Sequence, residues 1–159
     1  MPSFAGSIKR VESAWIDYNG HMNMAYYSLL FDRTVEEIFT ANGLGPAYRA
    51  RTGCSFFILV SQIHYLREVH EGDPLGMTFR VLDHDAKRVH VFMEMYHAEK
   101  GYRAATMEGL DIHIDMTHRR SAPMPEDVRD MFARLQARDA HRPWPEEAGA
   151  KIGIRREAG

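Results

Sequence analysis

Apolar and polar residues change rhythm three times along the chain. From Met24 the apolar positions Met24, Tyr27, Phe31, Val35 and Ile38 recur at steps of three and four, the spacing of one helix face. Tyr26, Leu29 and Leu30 widen that stripe, so the start of this helix is expected to be buried nearly all round. "ANGLG", residues 41 to 45, should end it, with Gly43 suited to the left-handed position past the last turn. Upstream, Ile8, Val11 and Ile16 spread among polar neighbours predict a short strand over residues 7 to 16.

The next seventy or so residues read as strands. "SFFILVSQIHYLREV" (55 to 69) is rich in β-branched and aromatic residues, and its opening is too apolar to be exposed on either side. After the "EGDP" turn, residues 75 to 97 predict a hairpin folding over near His84 to Ala86. Its second arm alternates Val89, Val91, Met93 and Met95 with Arg88, His90 and Glu94. Residues 102 to 115 form a last strand with Leu110, Ile112 and Ile114 on one face. "EDVRDMFARLQAR" (126 to 138) is an amphipathic helix with acids in its first turn and arginines in its last. The pattern predicts a single α+β domain over residues 1 to 145, with a loosely ordered tail over 146 to 159. One long helix wrapped by a curved antiparallel sheet solves the burial problem this order poses. Such a sheet has open edges, so self-association as a dimer or tetramer is expected.

Composition narrows the function. Twenty Lys and Arg against 22 Asp and Glu leave a formal charge of −2 across 159 residues, with no global pull towards nucleic acid or an anionic membrane. Cys54 is the one cysteine, so no disulfide can form within the chain, and a reducing compartment is expected. "MPSFAGSIKR" lacks the apolar core of a signal peptide, and no apolar run nears ~18 residues, so a cytoplasmic location is expected. The sequence contains no phosphate-binding loop, dinucleotide fingerprint or GxSxG elbow.

The candidate chemistry lies just ahead of the long helix. In "WIDYNGHMNMAYY" (15 to 27), Asp17, Asn19, His21 and Asn23 alternate, and Gly20 permits a sharp bend. Asn19 or Asn23 can cap the helix. Capping needs one such group, whereas the segment offers several. A free helix N-terminus presents N–H donors and a positive dipole end to a developing oxyanion. An aspartate just upstream can attack an acyl carbon or activate water to do so.

"DYNGHMN" followed by "MAYY" resembles the Asp-x-x-Gly-His-x-Asn signature of hot-dog-fold acyl-CoA thioesterases, the 4-hydroxybenzoyl-CoA thioesterase-like group. It is also similar to the Asp-x-Asn-x-His-x-Asn stretch of acyl-ACP thioesterases. The resemblance covers residues 7 to 120 and implies the hot-dog fold. It implies hydrolysis of a small or medium acyl-CoA with no cofactor, with Asp17 as nucleophile or general base. Asn19 and His21 then position substrate or water, and backbone N–H groups of Met22, Asn23 and Met24 form the oxyanion hole, with Asn23 ordering the turn. Glu36 and Glu37 lie about 14 residues, or ~20 Å, along the helix from the cluster and read as solvated. "WIDYNGH", "HYLREV", "DAKRVHVF" and "ATME…HID" further resemble the betainyl-CoA thioesterases of bacterial carnitine breakdown. Those relatives carry Glu and His on the second strand where this chain has Val60 and Gln62.

Other residues were weighed as contacts to substrate. Trp15, Tyr18, Tyr26 and Tyr65 could cage a cation, with core packing the competing role for each. Gln62 and His64 share a strand face and could line the acyl pocket. Lys87 and Arg88, or Arg119 and Arg120, could meet the phosphates of CoA. No metal is expected, since the nine histidines show neither HExxH nor zinc-finger spacing. Two rival functions fit the same fold, a hydratase or dehydratase and a non-catalytic acyl-CoA-binding module.

Overall fold

A computed structural model describes residues 2 to 154. Its centre is helix α1, Met24–Ala41, whose buried stripe runs through Tyr27, Leu30, Phe31, Thr34 and Phe39. Around it curls an antiparallel sheet of β1 (Ala5–Arg10), β2 (Cys54–Tyr65), β3 (Pro74–His84), β4 (Arg88–His97) and β5 (Arg103–Asp115). The strand order is β1-β3-β4-β5-β2, and a two-residue β6 (Arg120–Ser121) pairs with β5. This is the α+β hot-dog arrangement that the hydrophobic pattern and the resemblance implied. Helix α3, Glu126–Arg138, closes one end, with Phe132 wedged between Phe39 and Phe56.

Several expectations need correction. The strand expected over 7 to 16 stops at Arg10, and a single helical turn over Ser13–Trp15 follows, which carries the Trp15 side chain into the core. A short helix α2, Pro46–Thr52, was not expected. The start of α1 is not buried all round: Met24 is 63% exposed, and Tyr26 and Leu29 are half-buried. The sheet wraps the helix from one side only, and the first turn lies beside the open edge formed by β2. That edge overturns another expectation, because Phe57, Ile58, Leu59 and Val60 are 42 to 58% exposed. Apolar content in a strand marks a surface that must be covered, and a second chain can do the covering. Glu37 is not simply solvated either. It accepts from the Ser7 N–H (2.8 Å) and pairs with Lys9, pinning β1 to α1, and the bond from Lys9 holds its carboxyl below the usual range.

After α3 the chain crosses the outer face of the sheet. Arg80 donates to the Pro143 carbonyl (3.0 Å), Arg103 pairs with Glu147, and the Gly149 N–H donates to Glu108 (2.7 Å). Residues 155–159 lie outside the described residues.

Candidate active site

The polar cluster folds as a miniature hairpin leading into α1. Ile16 and Met22 bridge as antiparallel partners, the Asp17 N–H donates to the His21 carbonyl (3.2 Å), and the Gly20 N–H donates to the Asp17 carbonyl (3.0 Å). Gly20 sits at φ +82°, a left-handed position that a side chain rarely tolerates, so the turn depends on glycine.

The turn aims the Asp17 carboxylate at the helix start. One oxygen accepts the Asn19 N–H (2.8 Å), and the other accepts the Asn23 side-chain amide (3.2 Å). Asn23 also caps α1, its side-chain oxygen accepting the Ala25 N–H (3.0 Å). One side chain therefore joins the aspartate to the helix terminus, and both Asn23 bonds must hold together. The Asn19 N–H, then the Asn23 amide and nearby His21, hold the Asp17 carboxyl below the usual carboxylate range, although partial burial opposes them. Asp17 is thus an anion at neutral pH.

Three backbone N–H groups were expected to form an oxyanion hole, and two are already engaged. Met22 donates to the Val69 carbonyl (2.9 Å) and Asn23 to the Trp15 carbonyl (2.9 Å), because the hairpin and the loop before β3 need those donors. Met24 N–H has no partner among the described residues. It adjoins a recess of about 250 Å³ lined by His21, Met22, Met24, Tyr27 and Tyr65. Tyr65, at the end of β2, donates to the Met24 carbonyl (3.5 Å). His21 contacts only the Met22 carbonyl (3.3 Å) and faces the recess.

The remaining candidates are dispersed. Trp15 stacks on Tyr26 at 5.4 Å, Tyr65 meets Tyr27 edge-on, and Tyr18 is 98% exposed, so the four aromatic rings form no common cage. Gln62 and His64 bond to each other (2.8 Å) beneath the tail, where Gln62 also donates to the Ala150 carbonyl, on the outer face of the sheet. Lys87 contacts Ser121 and Arg88 pairs with Asp85, at the opposite end of the sheet from Tyr65. Arg119 and Arg120 are exposed at that same end. Among the described residues no three His, Cys, Asp or Glu side chains converge closely enough to grip a metal ion. His113 is a core residue, bonded to Tyr48 (2.8 Å) and to the Ala122 carbonyl (2.9 Å).

Sequence reasoning missed one ionisable group. Asp111 on β5 faces α1 and is 7% exposed. The available signal was an aspartate within the apolar alternation of "LDIHID".

Comparison with known proteins fits this geometry. The family model described as the thioesterase-like superfamily matches residues 11–132. The chain is 35% identical to a betainyl-CoA thioesterase of Pseudomonas aeruginosa over 143 residues, covering 88% of each protein. It is 32% identical to an L-carnitine dehydrogenase/betainyl-CoA thioesterase of Rhizobium meliloti, covering 92% of this chain and 29% of that longer one. A hypothetical protein of Staphylococcus aureus, solved in complex with CoA, superposes with a TM-score of 0.89 at 31% identity, covering 96% of both chains. No helix of the described residues is long and apolar enough to cross a membrane.

Proposed function

The chain belongs to the thioesterase-like superfamily, and from that premise we propose that it hydrolyses an acyl-CoA thioester at the start of α1, with Asp17 as nucleophile or general base. The observation that carries this reading is the bridge through Asn23. It holds an ionised carboxylate beside a helix N-terminus whose Met24 N–H is unpaired. A thioester carbonyl oxygen directed at Met24 N–H gains the donor and the positive dipole end as it becomes an oxyanion. Asp17 then either attacks the acyl carbon and expels the CoA thiolate, leaving an anhydride for water to cleave, or takes the proton of a water that attacks directly. Neither route needs a cofactor. His21 lines the recess and positions substrate or water, and the Asn19 N–H keeps Asp17 ionised.

The exposed apolar edge of β2 supports self-association through that strand. Edge pairing of two copies about a two-fold axis buries residues 57 to 60 and completes their hydrogen bonds. A working site in the cytoplasm agrees with the lone cysteine. The relatives' names point to betainyl-CoA as a first substrate to assay.

The test is release of free thiol from a panel of acyl-CoAs by wild type and Asp17→Asn. Wild type should turn over at least one ester, and the variant should lose at least about a hundredfold while keeping its circular dichroism. Tight CoA-ester binding without thiol release would identify a binding module, and water addition to an enoyl-CoA would identify a hydratase.

A further inference from the structure

Asp111 has no partner in the fold that surrounds it. Met107, Asp111 and His113 point from β5 toward α1; Met107 packs in the core and His113 is fully bonded. The Asp111 carboxylate, more than nine-tenths buried, accepts no hydrogen bond and joins no ion pair among the described residues. It faces a cavity of about 590 Å³, which Asp32 and Glu36 of α1, Arg49 of α2, and Phe56 and Ile58 of β2 also line. Burial, reinforced by the charge of Asp32, pushes its carboxyl up to about 7. An unbonded buried carboxylate is unfavourable, and a ligand that meets it would offset the cost.

The shape of the site restricts that ligand. Its acidic groups are too far apart to share a metal ion, but they surround a space large enough for an organic cation. Alkyl groups on such a cation would rest against Phe39, Phe56 and Ile58. β2 carries Val60 and Gln62 and no carboxylate, so the negative charge comes from α1 and β5.

Strand direction decides which reaction centre the cavity serves. Within one protomer Ser55 to Ile58 line the cavity, whereas Tyr65, at the other end of β2, reaches the start of α1. Antiparallel edge pairing of β2 with its copy requires a two-fold axis perpendicular to the sheet. Such an axis keeps both helices on one side and sets residues 55 to 58 of one copy beside the Tyr65 end of the other. The cavity of one protomer thereby adjoins the helix start of the second.

We propose that this cavity is the pocket for the acyl tail of a thioester held at the helix start of a second copy. Asp111, with Asp32 and Glu36, selects an acyl group that ends in an organic cation such as trimethylammonium. The assignment rests on the thioesterase reading and on β2 pairing, and names the feature of substrate that the site reads.

The test compares two esters of equal shape, trimethylammonioacetyl-CoA and its neutral isostere tert-butylacetyl-CoA. Wild type should favour the charged ester by at least about tenfold in kcat/KM. Asp111→Asn and, separately, Asp32→Asn should both shrink that ratio, which uses each variant's own neutral turnover as reference and so corrects for folding losses. Calorimetric titration with tetramethylammonium chloride should show binding that Asp111→Asn weakens. Equal turnover of the two esters by wild type would overturn the proposal and leave the thioesterase reading intact. Bound cation without any hydrolysis would reverse that outcome. Co-expressing Asp17→Asn with Asp111→Asn should raise turnover of the charged ester above that of Asp111→Asn alone, since each hybrid dimer regains one intact site. No rise would overturn the placement across the two-fold axis.

Discussion

Asp17 and Asp111 are carboxylates packed beside the same helix, yet their surroundings drive them in opposite directions. Asp17 sits in a tight turn and receives the Asn19 N–H and the Asn23 amide, which hold its carboxyl below the usual range. Asp111 sits on an interior strand, receives no hydrogen bond among the described residues, and is pushed up to about 7 by burial and by Asp32. Donors supplied by a turn stabilise an anion, while an apolar strand face has none to supply. A fold that keeps both has one carboxylate always charged and another whose charge depends on what enters its cavity.

Perturbing each carboxylate in turn should pull these behaviours apart. The largest effect belongs to Asp17, where Asp17→Asn removes the reacting charge and should depress turnover of charged and neutral esters alike. Next comes the stability of Asp111→Asn. The folded carboxyl titrates near 7 and the unfolded one near ~4, so its stabilising contribution is complete below the unfolded value and is lost as pH rises through the folded one. Chemical denaturation should show the variant gaining on wild type by on the order of 3 kcal/mol between about pH 4 and pH 8. A gap that stays constant with pH would show that Asp111 is no longer raised in solution.

A smaller effect is expected at Asn23, which serves both the helix cap and Asp17. Asn23→Ala should cost about 1 kcal/mol in unfolding measurements through the lost cap. It should also lower kcat at a pH where wild type is fully active, since Asp17 loses an amide that orients it. The smallest effect is expected at Glu37→Gln, remote from both carboxylates. It weakens the Ser7 and Lys9 contacts on a half-exposed surface and should change stability by less than about 1 kcal/mol, leaving kcat/KM unaltered.

The same contrast explains what could be read before the structure. The stripe of α1, the hairpin around residues 84 to 86, β5 and α3 follow from local periodicity. Their ends fall close to where Gly43, Pro125 and the turn residues mark them. Helix α2 escaped notice because seven residues are too few to establish a helical rhythm. The apolar opening of β2 is consistent with burial, but sequence alone does not say whether the covering surface belongs to the same chain. At the candidate site, residue types in "DYNGHMN" point to the chemistry directly. Donor availability was not legible, because Met22 and Asn23 lose their N–H groups to Val69 and Trp15, and Val69 is distant in the sequence. Asp111 was hidden by parity: Leu110, Ile112 and Ile114 look like the core face of β5, whereas Met107, Asp111 and His113 face the helix. The tail crossing the outer face half-covers that other row.

The most direct measurement is the pH dependence of kcat/KM for a neutral acyl-CoA, which bypasses the charge reading assigned to Asp111. With an ionised Asp17 as the reacting group, the rate should stay level through neutral pH. It should fall only in acid, below the usual carboxylate range of about 4. A limb near ~6.5 that disappears in His21→Asn would contradict this account and transfer the base to His21.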